Sequence, residues 1–339
     1  MFDIISIGDS TIDTFLFLKD LEIREEDGNK KAVMSWGDKL PVEKLFRTVA
    51  GNAANNAVAS SRLGLKTAFY TVLAHDAGGR EILHKMQKEK VSLRYAVIDD
   101  EHGTNSSTVL TQDGERTIFV YHEHRKYKLP NFLPSSWVYL TSMANGFEAI
   151  HKDLCKYLDK YNVRLGFNPG TFQLRAGVKK SKEILQRTNL LSVNVEEAKF
   201  WVGDFDDPEV LCDKLRELGP QAVVLTDGRS GAYSKSDEGF YYISEFPGDR
   251  LEATGAGDSF TSAYIAALAH NLPHKEALRW GPVNAASVVS QVGPQAGLLS
   301  RKELESRLSK HKKYQPTLIL NQEIKKIIYS IVKKKKENI

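Results

Sequence analysis

The chain reads as an α/β protein: a doubly wound, mostly parallel sheet with helices on both faces, carrying a small β lid. Three observations predict this. Short apolar runs alternate with stretches of helical spacing from the first residues to Thr226. Gly8-Asp9, Asn168-Pro169, Asn194 and Thr226-Asp227 each follow directly on an apolar run, so they are expected on one rim, outside the carboxyl ends of the strands where such folds bind ligands. Two stretches, about 14–48 and 93–125, break the rhythm and are read together as the lid.

The elements follow in order. Phe2 to Ile7 is a short apolar run ending at Gly8, the pattern of a buried strand before a ligand-side turn. Asn52 to Leu63 has helical spacing and stops at Gly64. Thr67 to Leu73 reads as a strand, and Gly79 to Lys90 as a helix with Ile82, Leu83 and Met86 on its apolar face. The alternation resumes with a strand at Trp137 to Thr141, a helix near Glu148 to Lys160, a strand at Val163 to Phe167 and a helix near Lys179 to Arg187. Leu190 to Val193 and Ala222 to Thr226 are strands around a helix near Pro208 to Leu218. In the lid, Asn105 to Tyr121 carries two β-rich runs around Gln112-Asp-Gly-Glu115, a hairpin signal. The main domain is expected over 1–310, and 311–339 as a basic amphipathic extension. Leu320, Ile324, Ile327, Ile328 and Ile331 lie there at helical spacing among lysines, an apolar face to be buried on the body or on a partner. No site role is visible in the extension, so it is expected to be dispensable for turnover.

At 339 residues the chain can bury a large core, and 27% charged with 41% hydrophobic residues is ordinary for a soluble protein. Much of the +4 net charge sits in Lys333-Lys-Lys-Lys336; the nearly neutral body argues against nucleic acid as the main partner. Two cysteines, Cys155 and Cys212, read as buried free thiols, which suits the cytoplasm. No basic leader and no stretch of membrane-spanning length is visible.

The most informative run is Glu252-Ala-Thr-Gly-Ala-Gly-Asp258, followed by an apolar helical stretch to Ala269. Glycines at 255 and 257 let the backbone bring N–H groups against a ligand, and a helix starting there aims unpaired donors and its positive dipole end at the same point. Such a site binds phosphate. A carboxylate among phosphate oxygens repels them unless it is there to take a proton, although a helix cap would also explain an aspartate at this place.

Together with Gly8-Asp-Ser-Thr-Ile-Asp13, Ala50-Gly-Asn-Ala-Ala-Asn55, Asn194-Val-Glu-Glu197 and Thr226-Asp-Gly-Arg-Ser-Gly231, this run stands in the order in which ribokinase-like (PfkB) kinases carry their motifs. The chain resembles that family from about Met1 to Leu308. The resemblance implies an ATP- and Mg2+-dependent phosphotransferase acting on a primary hydroxyl of a sugar or sugar acid, with a ribonucleoside as the alternative acceptor. A non-catalytic sugar-sensing protein on the same fold is the rival of a different class, opposed by the joint presence of Asp258, Asn194 and Glu197. A dehydrogenase is weaker still, because no Gly-x-Gly-x-x-Gly follows the first strand.

Asp258 is the implied base, with the backbone of Gly255, Ala256 and Gly257 as the anion hole. Asn194 and Glu197 resemble the residues that hold magnesium-bound phosphates, Glu197 through water. Thr226, Gly228 and Gly231 resemble the nucleotide loop, and Asn284 lies in the late helix that lines the adenine pocket in relatives. Asp13, Gly51, Asn55 and Asp9 match the acceptor side, where a carboxylate and an amide suit a polyol. Relatives carry aspartate where Glu252 stands, supporting a monovalent cation such as K+; the extra methylene could shift or abolish that site. His122, Glu123, His124 and Arg125, at the end of a lid strand, read as exposed or lid-side contacts rather than a metal site. The lid is implied to close over the acceptor and, in many members, to form a homodimer contact.

Overall fold

The computed structural model describes residues 1–19, 21–26, 29–112 and 115–337. A nine-stranded sheet runs through the molecule. Six strands are parallel, in the spatial order Thr67–Tyr70, Phe2–Ile7, Ser135–Leu140, Arg164–Phe167, Thr188–Asn194, Ala222–Thr226. The chain adds Thr67–Tyr70 on one side of its first strand and then crosses to add Ser135–Leu140 on the other. That reversal places a crevice at the carboxyl end of Phe2–Ile7. Three antiparallel strands, Ala232–Ser236, Gly239–Ile243 and Thr317–Leu318, extend the far edge.

Both faces are covered, which is why the parallel strands carry apolar side chains on both sides of the sheet. Ile5, Ile7, Val138 and Leu140 point into one core, while Ile4, Trp137 and Tyr139 point into the other. The helix Ala256–Ala269 is buried nearly all round. Its neighbour, His274–Val289, contains Gly281-Pro282 in its interior, a pair that would ordinarily end a helix. Here a Cβ on Gly281 would stand 2.8 Å from the Phe260 ring, so the glycine permits the two helices to touch.

The expected strand over 67–73 is two, Thr67–Tyr70 and Val72–Ala74, broken at Thr71, and the second pairs with Val97–Asp99. The lid is a four-stranded sheet in the order Glu115–Tyr121, Ser106–Gln112, Thr11–Phe17, Lys44–Ala50, joined by the hairpin Glu22–Glu26 and Asn29–Val33. It begins at Thr11, earlier than the expected 14, so Asp13 belongs to a lid strand. The Asp113-Gly114 turn of the expected hairpin lies outside the described residues; the strands on either side of it pair antiparallel.

The segment from 311 is joined to the body. Thr317–Leu318 completes the sheet, and the helix Gln322–Glu337 packs Ile328 and Val332 into the core. Lys325 is nearly buried, 2.7 Å from both Asp207 and Glu209. Of the apolar residues expected on one face, Ile324 and Ile328 are turned inward, while Leu320, Ile327 and Ile331 are exposed. The inward face instead takes Tyr329 and Val332, because the helix meets the body along 324, 328 and 332. No helix among the described residues is long and apolar enough to cross a membrane.

Candidate active site

Three adjoining cavities line the rim, and Asp258 stands where two of them meet. One, of about 310 Å³, lies under the lid and is bordered by Asp9, Asp13, Gly51, Asn55, Arg116, His122 and Asp258. The second, about 200 Å³, runs over the helix start at Gly255 to Asp258 past Asn168, Asn194, Glu197 and Thr226. The third, about 160 Å³, is an apolar slot between Thr226, Gly228, Gly231, Phe246, Pro282, Ala285 and Val289.

The motif builds its corner through backbone geometry. Gly255 has φ +79°, and a Cβ there would meet Pro294 at 2.5 Å, so only glycine lets the chain turn into the helix at this point. A Cβ on Gly257 would meet nothing within 4 Å and would stand in the open cleft. The first turn of this helix offers N–H groups with no partner inside the helix, aimed at that space. Ala256 is the exception, since its N–H turns back to the Ala253 carbonyl at 3.3 Å. The cradle therefore fits a phosphate group, with Ala256 contributing shape more than a donor.

Asp258 is oriented by a relay. Asn55 Nδ2 donates to Asp258 Oδ2 at 2.8 Å, and Gln295 Nε2 donates to Asn55 Oδ1 at 3.0 Å. Gln295 is buried, so the amide of Asn55 is held in the orientation that presents its donor to the carboxylate. Burial pushes the Asp258 carboxyl up to about 6, with the Asn55 hydrogen bond opposing the rise. Gly51 starts the helix that carries Asn55, with φ +93°; a Cβ on it would stand 2.6 Å from Ser10 Cα. The glycine thus lets the segments bearing Asp9 and Asn55 touch.

On the lid side, Asp13 is buried, and its Oδ1 has no partner inside the protein. Burial first, then the charges of Glu252 and Asp258, push its carboxyl up to about 6 against a hydrogen bond from Ser107. An orphaned buried acceptor facing a cavity fits a ligand that brings hydroxyl donors. Asp9 borders the same cavity, but Tyr127 O–H donates to its two oxygens at 2.9 and 2.8 Å and the Ala144 N–H donates to Oδ2 at 2.9 Å. Its carboxylate is largely engaged by the protein.

Folding lifts Asp13 and Asp258 above the ordinary carboxylate value, so their contribution is fully present below pH about 4 and is lost as pH rises through about 6. Asp13→Asn is therefore expected to raise Tm at pH 7.5 by about 2 °C relative to wild type. The gain should vanish at pH 4. Differential scanning calorimetry at both pH values checks this, and an unchanged Tm at pH 7.5 rejects it.

Asn194 and Glu197 cap the helix Val195–Val202 reciprocally: the Glu197 N–H donates to Asn194 Oδ1 at 2.8 Å and the Asn194 N–H donates to Glu197 Oε2 at 2.9 Å. The capping box aims the remaining Glu197 oxygen and the Asn194 amide at the second cavity. Burial raises the Glu197 carboxyl, and Asp258 adds to the rise. A pair of acids facing one phosphate-sized space suits a divalent cation held through water. Among the described residues, no group of three or more His, Cys, Asp or Glu side chains is arranged to hold a metal by itself.

Thr226, Gly228 and Gly231 border the apolar slot. At Gly231 φ is +108°, and a Cβ would approach the Ile243 carbonyl oxygen to 2.2 Å. Asn284 requires a correction. Its Nδ2 donates to the Ser259 carbonyl at 2.9 Å and its Oδ1 accepts from the Leu299 N–H at 3.0 Å, in full burial. It faces away from the slot, which its helix lines with Pro282, Ala285, Ala286 and Val289. Glu252 Oε1 accepts from the Thr254 N–H at 2.7 Å and from its hydroxyl at 2.5 Å, while Oε2 is buried without a partner.

The cluster 122–125 disperses. His122 turns to the cavity under the lid, 3.5 Å from Asp9. Glu123 accepts from the Gly103 N–H, and Arg125 is buried against Asp99 at 2.8 Å. Sequence reasoning missed Arg116, Tyr127 and Gln295. Arg116 had a usable signal: with Ile118 and Val120 it alternates along one face of the strand Glu115–Tyr121, His122 continues the pattern just past its end, and all four border the cavity under the lid. Arg116 also borders the second cavity and lies 3.7 Å from Glu252.

A family comparison matches residues 37–301 to the pfkB family carbohydrate kinases. A ribokinase of Bacillus subtilis is 26% identical over 283 residues, covering 78% of this chain and 89% of that one. A fructokinase of Salmonella typhimurium is 25% identical over 258 residues, covering 69% and 82%. The structure of Arabidopsis thaliana ribokinase complexed with ribose and ATP shares the fold, with a TM-score of 0.74 at 20% identity over 90% of this chain and 98% of that one. With its motifs assembled around one rim, the chain belongs to the pfkB family of carbohydrate kinases, ATP-using phosphotransferases with an alcohol group as acceptor.

Proposed function

We propose that this kinase phosphorylates a primary hydroxyl of a sugar or sugar acid bound under the lid, with Asp258 as the base. The observation that carries the reading is the position of Asp258, at the junction of the lid cavity and the phosphate-sized cradle. Bound ATP with magnesium supplies the phosphoryl group and balances its charge. Asp13 holds acceptor hydroxyls, and Asn55 keeps the Asp258 carboxylate facing the hydroxyl whose proton it takes. The backbone N–H groups at Gly255, Gly257 and Asp258, with Arg116 from the lid, meet the charge of the transferred group. Glu197 and Asn194 hold the magnesium-bound phosphates, and the apolar slot takes the base. Glu252 Oε2, without a partner, supports a monovalent cation beside the hole.

The walls of the lid cavity include Ile118 and Val120, exposed apolar side chains on which a nucleobase would lie. They favour a ribonucleoside as the second reading. A screen of sugars, sugar acids and ribonucleosides for ATP-dependent phosphorylation decides between the two. Because the lid excludes water, ATP hydrolysis without acceptor is expected to be slow. Turnover equally fast with and without every acceptor tested would reject the lid's role. The outer lid face, with Leu45, Phe119 and Tyr121 exposed, supports a homodimer contact. Both cysteines are free and buried, which supports a cytoplasmic setting.

A further inference from the structure

The helix Gln322–Glu337 ends in Lys333-Lys-Lys-Lys336. Lysines in a last helical turn are favoured by the helix dipole whatever they face, so their partners decide what they do. Lys336 Nζ lies 2.9 Å from Asp227 Oδ2, a carboxylate only 10% exposed. Lys335 Nζ lies 3.8 Å from Glu245 Oε1. Asp227 sits between Thr226 and Gly228, and those two residues with Glu245 border the apolar slot. The helix is fixed upstream by Lys325 between Asp207 and Glu209, and by Tyr329 O–H, which donates to Asp207 at 2.6 Å. Ile328 and Val332 anchor it in the core. The lysines are thus delivered to the nucleotide loop by a docked element.

We infer that the last turn of the helix Gln322–Glu337 is a positioning element for the nucleotide: Lys336 neutralises Asp227, in the loop beside the nucleotide cavity, and Lys335 faces Glu245 on the border of that cavity. The inference rests on the reading of that cavity as the ATP site. A polyanion entering beside an unpaired Asp227 is repelled, and the nearby Glu196 adds to the same negative field. With the lysine in place the Asp227 carboxylate is paired at the point where the loop adjoins the cavity. The extension then contributes to nucleotide affinity, a site role that was not visible in the sequence.

The test is calorimetric titration of the full chain with ATP and MgCl2, without acceptor. Lys336→Ala is expected to weaken ATP binding about three- to tenfold, with Tm nearly unchanged because this side chain is half exposed. Lys336→Arg should bind as wild type. Asp227→Asn combined with Lys336→Ala should restore affinity to within about twofold of wild type, since the repelling charge is gone. Wild-type affinity in Lys336→Ala overturns the inference. So does a double variant as weak as the single one, which would show mere anchoring of the helix. Failure of the wild type itself to bind ATP would overturn the assignment of the cavity first, and is distinguishable from either result.

Discussion

Asp258→Asn is expected to lower kcat by about 10²- to 10⁴-fold, the range a positioned general base contributes. The substitution keeps the shape of the side chain and its ability to accept from Asn55, so the relay from Gln295 through Asn55 should survive. Acceptor affinity should change far less than kcat. Nucleotide affinity should hold or rise, because a negative charge beside the phosphate cradle disappears. The wild-type rate should in turn fall as pH drops through about 6, since burial holds the Asp258 carboxyl near that value and only the ionised form takes a proton. Steady-state kinetics on the folded variant, with chemistry shown to limit turnover, check the claim. A kcat within a few-fold of wild type would remove Asp258 from the role of base.

Asp13→Ala should strike the other side of the reaction. Its buried Oδ1 is without a partner in the protein, and hydrogen bonds from ligand hydroxyls to a charged acceptor are worth about 1.5–3 kcal/mol each. Losing one or two of them should lower kcat/KM for the acceptor by about 10²- to 10³-fold, mainly through KM, while KM for ATP stays near wild type. An unchanged acceptor KM would show that this carboxylate faces the cavity without holding the substrate. The contrast is diagnostic: Asp258 variants lose rate, and Asp13 variants lose acceptor.

Much of the architecture was legible because it is local. A strand buried on both faces carries apolar side chains on both, so the parallel strands could be read from short apolar runs. The Gly255 to Asp258 corner was legible for a similar reason, since an anion cradle made of backbone needs glycine at fixed spacing whatever surrounds it. Asn284 shows where this fails. An asparagine in a late helix looks the same whether it faces a ligand or its own neighbours, and here Ser259 and Leu299 take both ends of its amide. The unbroken helix through Gly281-Pro282 also depends on a partner, since Phe260 fills the space the glycine leaves.

By itself, then, the sequence determined the layered α/β frame, the lid hairpin strands, the glycine corner at Gly255 to Asp258 and the acids beside it, because each is written in residues close together in the chain or in a periodic pattern. The tertiary structure alone decided how those acids are tuned and completed. Asn55 reaches Asp258 across 203 positions and Gln295 reaches Asn55 across 240. Tyr127 claims Asp9 across 118. The C-terminal lysines acquire a role only because a strand at Thr317–Leu318 and a helix docked at Lys325 carry them back to Asp227. Hydrogen bonds and charge pairs act over a few ångströms of space, and nothing in the separation of two residues along the chain records that distance.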